Sequence, residues 1–153
     1  MDYNAAYVHM DEARNDWRPY LTTKIAPLVA DLSPSASISE VVATVNDQMW
    51  DVLGHDSSTP IVFKSGQTPL IYDPFSTITY GYASCTGTSI LFADALRSVG
   101  VATRVAGTPK WHNNAAEGNH NWIEVLYSKN KDSNFEWGII EGATAATGEV
   151  QME

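Results

Sequence analysis

The chain has 153 residues, 44% of them hydrophobic, which suits one domain with a sizeable core. Eighteen acidic residues against nine basic ones give a formal charge of −9, which repels phosphate backbones and anionic membranes and argues against nucleic acid or a membrane as partner. A single cysteine excludes an internal disulfide framework, and no stretch approaches the roughly 18 apolar residues of a membrane span.

From Tyr3 to Trp17 the apolar residues keep helical spacing, which predicts an amphipathic helix ended by Pro19. A second, shorter helix is predicted over Leu21 to Leu32, interrupted or started late by Pro27. Ser37-Ile38-Ser39-Glu40 has the form of a capping box ahead of Val41, Val42, Val45, Met49, Val52 and Leu53, so a third helix is predicted from Ile38 to Leu53. These three form a helical N-terminal part over about 1–54, read as scaffold. Gly54 to Pro60 is a polar loop, and its adjacent His55 and Asp56 are read as solvated. Ile61 to Pro74, with two prolines and a glycine, suits an irregular wall. Gln67 in that wall is either an ordinary loop glutamine or a side-chain donor for an oxyanion.

The only cysteine follows, in Ser84-Cys85-Thr86-Gly87, where an extended approach turns into a helix predicted from about Cys85 to Val99 and closed by Gly100. A thiol on the first turn of a helix meets the positive end of the macrodipole and unpaired backbone N–H groups, surroundings that favour a thiolate nucleophile. The same position also suits a small buried apolar residue. A strand is predicted over Val101 to Ala106, ended by Gly107-Thr108-Pro109. Trp111 to Asn119 is a loop bordering the site, with Trp111 at its rim. Asn119 to Tyr127 and Phe135 to Ile140 form a hairpin across a polar loop, Ser128 to Asn134, which returns Glu141 to the start of the first strand, near His120. A thiol needs a base for its proton and an imidazole needs an acceptor that fixes its tautomer, so Cys85, His120 and Glu141 are the candidate catalytic set. Cys85, His112, His120 and Glu141 are also metal-ligand types, but no Cys-x-x-Cys or His-x-x-x-His spacing supports a metal, and no cofactor is expected. The residues from Thr144 to Glu153 read as a loose tail or linker stub.

With these residues assembled, the chain resembles the transglutaminase-like superfamily over roughly Phe63 to Ala143. The blocks that carry the resemblance are Ser84-Cys85-Thr86-Gly87, Leu96-Arg97-Ser98-Val99-Gly100-Val101-Ala102-Thr103-Arg104, His120-Asn121-Trp122-Ile123-Glu124-Val125 and Trp137-Gly138-Ile139-Ile140-Glu141. Lys64-Ser65-Gly66-Gln67-Thr68-Pro69 and Ala106-Gly107-Thr108-Pro109-Lys110-Trp111 further resemble microbial transglutaminase-like proteins that are usually pieces of larger chains. The resemblance implies an α+β, papain-like fold with the cysteine helix packed on an antiparallel sheet. It implies Cys85 as nucleophile and His120 as base. Glu141 stands where the family normally has Asp, followed by Gly142-Ala143 rather than Pro-Thr.

The expected chemistry is thiol-dependent acyl transfer on a peptide or glutamine amide, with hydrolysis slightly favoured over cross-linking, and with Gln67, Trp111, Asn119 and Trp122 forming the oxyanion and substrate groove. No Asp-x-Asp-x-Asp-Gly calcium loop is present. The competing expectation is a non-catalytic module that holds a peptide or glycan in a Trp-lined groove. Arg104 and Glu124 are read as framework residues of the sheet. A single domain over 1–153 is expected, with further domains of a longer chain as neighbours. Its compartment is left open: the first residues lack a signal-peptide pattern, and a piece of a secreted or envelope protein fits as well.

Overall fold

The computed structural model describes residues 16–55, 58–128 and 135–142. Helix α1 (Trp17–Val29) buries Trp17, Leu21 and Ile25, whose four-residue spacing lines one face. Pro19 does not end a helix here. It lies in the first turn of α1, where the missing N–H has no intrahelical acceptor to serve. The rest of the helix expected over Tyr3 to Trp17 falls outside the described residues. Pro27 sits in the last turn, and α1 stops at Val29 rather than at Leu32.

Helix α2 (Ile38–Val52) starts on the capping box read from the sequence: Ser37 Oγ accepts from the Glu40 N–H at 3.2 Å, and Glu40 Oε2 accepts from the Ser37 N–H at 2.7 Å. Its buried stripe is Val42, Val45, Asn46, Met49 and Trp50, continued by Leu53. Val52, placed on the stripe by the sequence reading, faces solvent at 38% exposure, and Asn46 and Trp50 turn inward instead.

The stretch before the cysteine holds more regular structure than expected. Strand β1 (Val62–Phe63) pairs in parallel with β2 (Tyr82–Ala83), and a seven-residue helix α3 (Pro74–Tyr80) lies between them. Asp73 caps α3 by accepting from the Ser76 N–H at 2.8 Å, Pro74 takes the first helical position, and Gly81 ends it at φ +72°.

Helix α4 (Cys85–Ser98) is the spine. Every residue from Gly87 to Leu96 is buried, and the helix packs on α1, α2, α3 and the sheet. Full burial of Ile90, Leu91, Phe92 and Leu96 contributes about 1.5–3 kcal/mol apiece. Its polar groups are tied within the core: Thr88 Oγ1 donates to the Ser84 carbonyl at 3.0 Å, Asp94 pairs with Arg97 at 3.5 Å, and Arg97 donates to the Thr103 carbonyl at 2.8 Å. Arg18 of α1 donates to the Arg97 carbonyl at 2.8 Å, which covers the end of α4.

The sheet is antiparallel in the order β3-β4-β5, with β3 (Thr103–Thr108), β4 (His120–Ser128) and β5 (Phe135–Ile140). Strict alternation puts Thr103, Val105, Ile123, Val125, Gly138 and Ile140 against the core. Arg104 and Glu124 are opposite one another in register; their side chains pair at 2.5 Å, and the guanidinium lies 4.1 Å from the Trp137 ring centre. The hairpin loop expected over Ser128 to Asn134 lies outside the described residues beyond Ser128. No helix among the described residues is long and apolar enough to cross a membrane.

Candidate active site

Cys85 is the first residue of α4, half-buried, with its thiol free. The Ser84 side chain does not cap the helix, so it does not compete for the amides of the first turn. His120 opens β4, opposite Thr108 of β3. Ile140 at the end of β5 lies opposite Ile123, so the hairpin returns Glu141 to the beginning of β4. There Glu141 Oε1 lies 2.9 Å from His120 Nε2. Cys85 and His120 line one cavity of about 360 Å³, together with Gln67, Trp111 and Asn119.

Three further contacts fix this arrangement, and none was singled out by the sequence. Next to the cysteine, Thr86 Oγ1 donates to Asn121 Oδ1 at 2.7 Å, and Asn121 Nδ2 donates to the Ala106 carbonyl at 3.2 Å. The residues adjacent to Cys85 and His120 are thus bonded to each other, which ties the helix start to the strand start. A Cβ at Gly107 would collide with the Asn121 amide, so this approach requires glycine. Behind Glu141, the fully buried Asn46 of α2 donates to the Glu141 carbonyl at 3.0 Å and accepts from Trp50 Nε1 at 3.2 Å. Gly142 leaves room for Trp50, whose ring would lie 2.6 Å from an added Cβ. The third contact is at Gly87, where an added Cβ would lie 2.5 Å from the Ile71 carbonyl and 2.6 Å from the Ala83 Cβ. That close approach draws the irregular wall against the first turn of α4.

Within the wall, Gln67 Oε1 accepts from the Ile71 N–H at 3.2 Å, which assigns the other end of the amide as Nε2. Nε2 is buried and has no hydrogen-bond partner among the described residues. Trp111 packs its ring 4.2 Å from that of His120 and 5.6 Å from that of Trp122. Trp122, expected in the groove, is not part of the cavity wall and stands behind Trp111. It shares the outward face of β4 with His120, two residues earlier, and its ring lies 6.2 Å from that of His120.

The loop carrying Trp111 is built of two short 3₁₀ turns, Trp111–Asn113 and Ala115–Glu117, rather than irregular chain. Glu117 closes it, accepting from His112 Nδ1 at 2.8 Å and from Asn114 Nδ2 at 2.9 Å. Those two bonds, the His112 one foremost, hold the Glu117 carboxyl below the ordinary carboxylate range. His55 turns to the Thr79 carbonyl at 2.8 Å, away from this site, and Asp56 lies outside the described residues. Among the described residues no three His, Cys, Asp or Glu side chains converge as a metal-holding group.

The architecture is an α+β fold in which a cysteine-bearing helix packs on an antiparallel sheet. A TGase crystal structure shares it, with a TM-score of 0.57 and 16% identity over 99% of this chain. This chain spans 38% of that one. No curated protein matches the sequence. The family profile of the transglutaminase-like superfamily matches residues 33–140, a span that begins ahead of α2 and so reaches further toward the N-terminus than the motifs quoted above. On that match the chain belongs to the transglutaminase-like superfamily, a family of largely cysteine-based enzymes with a papain-like fold.

Proposed function

We propose that the chain carries out thiol-dependent acyl transfer on peptide or glutamine amides, with hydrolysis slightly favoured over cross-linking. The observation that carries this reading is the 2.9 Å bond between His120 Nε2 and Glu141 Oε1, beside a cavity that Cys85 and His120 share. An ionised carboxylate only accepts hydrogen bonds, so Nε2 holds the proton of that bond and Nδ1 presents its lone pair. Nδ1 is then the nitrogen that takes the Cys85 proton. The thiolate attacks the amide carbonyl, and the oxyanion accepts from the Cys85 backbone N–H and from Gln67 Nε2. The imidazolium, steadied by Glu141, returns its proton to the leaving ammonia or amine as the C–N bond breaks. The thioester on Cys85 is resolved by water or by a second amine. Trp111 and Asn119 border the groove in which the peptide lies.

The reading is tested by incubating the protein with glutamine-containing peptides and measuring intact mass. The expected adduct on Cys85 equals the peptide less ammonia, is converted by hydroxylamine to a peptide hydroxamate, and is absent from Cys85→Ala. Binding of peptide or glycan with no adduct, no ammonia and no hydroxamate would replace this reading with that of a non-catalytic module.

A further inference from the structure

The wall of the cavity has a composition of its own. Three aromatic residues, Phe63, Tyr72 and Trp111, line it, and so does the carboxylate residue Glu117. Among the described residues no lysine or arginine lines this cavity. Lys64, which lies in sequence between two lining residues, places Nζ 4.2 Å from the ring centre of Tyr82, which is not part of the wall. Glu117 uses one lone pair of each oxygen on His112 and Asn114, and a carboxylate offers about four. Its side chain is 41% exposed and held in one orientation by those bonds. Aromatic faces attract a cation through their quadrupoles, and an oriented carboxylate completes such a site with a charge-assisted hydrogen bond.

We propose that this wall is a subsite for a basic side chain, lysine or arginine, flanking the reacting amide of a peptide substrate, with Glu117 as its specificity-determining charge. The position of the reacting amide rests on the acyl-transfer reading, whereas the preference of the wall for a cation does not.

The test therefore uses probes that need no turnover. Cys85 is the only thiol in the chain, so its reaction with a cationic methanethiosulfonate (2-trimethylammonioethyl) and with an anionic one (2-sulfonatoethyl) can be followed by intact mass. In each case the thiolate attacks the sulfenyl sulfur and displaces methanesulfinate, leaving a mixed disulfide. Rates are divided by those of 2-mercaptoethanol to remove the reagents' intrinsic difference. At low salt the cationic reagent is expected to be favoured by about tenfold, and Glu117→Gln is expected to remove most of that preference. The general field of an acidic chain survives this one substitution, so the contrast between the two proteins isolates the local charge. A second measurement takes Cys85→Ala protein and two blocked tripeptides, Ala-Gln-Lys and Ala-Gln-Glu, with binding read from tryptophan fluorescence. The lysine peptide should bind about fivefold tighter, and the difference should vanish when Glu117→Gln is added. Equal normalised rates for the two reagents, or a preference unchanged in Glu117→Gln, would overturn the subsite. A charge preference without any acyl-enzyme would keep the subsite and reject acyl transfer, so the two failures are separable.

Discussion

Glu141 is the residue on which the proposed third role turns. Its side chain is one methylene longer than the aspartate usual in the family, and its backbone is set by a contact far away in sequence, the Asn46 bond to its carbonyl. With the carbonyl anchored and Trp50 seated against Gly142, the carboxylate meets Nε2 at 2.9 Å. Glu141→Gln keeps the shape but removes the charge that steadies an imidazolium, so acyl-enzyme formation should fall by about 10²-fold or more while the melting temperature changes little. Asn46→Ala acts differently. It leaves the Glu141 carbonyl and the Trp50 N–H without this partner, which should cost roughly 1–3 kcal/mol in urea unfolding as well as slowing the reaction. The places of Cys85 at a helix start and of Glu141 beside His120 could be read from the sequence because a helix start and a hairpin return are local patterns. Asn46, Thr86 and Asn121 could not, since an asparagine on an apolar stripe or beside a histidine gives no sign of the distant group it will meet.

At the level of elements, termini and close approaches decide the geometry. The capping box of α2 was legible as Ser37 followed by Glu40, and its bonds hold the Glu40 carboxyl below its ordinary value of 4.5, the backbone N–H of Ser37 contributing most. A carboxyl whose folded-state pKa is depressed stabilises the fold above its unfolded pKa and loses that contribution as pH falls through the folded pKa. The melting temperature of Glu40→Gln should therefore lie below that of the parent at pH 7, and the gap should close as pH drops below about 4.5. Ser37→Ala should lower the melting temperature by roughly 2–4 °C at pH 7. Helix α3 escaped the reading because two prolines and a glycine nearby looked like irregular chain, although Asp73-Pro74 is a cap followed by a first-turn proline. Gly87 also hides its meaning in the sequence, where it looks like a weak point in a helix. In the fold it is where the wall carrying Gln67 reaches α4, so Gly87→Ala should cost about 1–3 kcal/mol by overpacking and slow reaction at Cys85.

In the whole molecule the groups of the proposed catalytic set come from different halves. The helices supply Cys85 through α4, and the sheet supplies His120 and Glu141. The Thr86–Asn121 bond is the tie across that seam at the site itself. The α+β class was legible through the family resemblance, carried by the blocks around Cys85, Arg104 and His120, and the structure has that mix of helices and antiparallel sheet. The cavity was only partly legible, because how far it extends along a strand face or loop is settled by packing. Trp122 illustrates this: it shares its face of β4 with His120, two residues earlier, yet His120 lines the cavity and Trp122 packs on Trp111. Thr86→Val keeps the volume and cuts the tie, so it should leave the fold cooperative while slowing reaction at Cys85 by about tenfold, read by alkylation alongside a urea melt.

The claim that Cys85 and His120 work as a pair is tested most directly by the rate of iodoacetamide labelling at pH 6, measured by intact mass on the parent protein and on His120→Ala. A paired thiol should label rapidly in the parent and at least tenfold more slowly in the variant, with both proteins folded by circular dichroism. Equal, slow labelling of the two would contradict the account and leave the cavity as a binding groove.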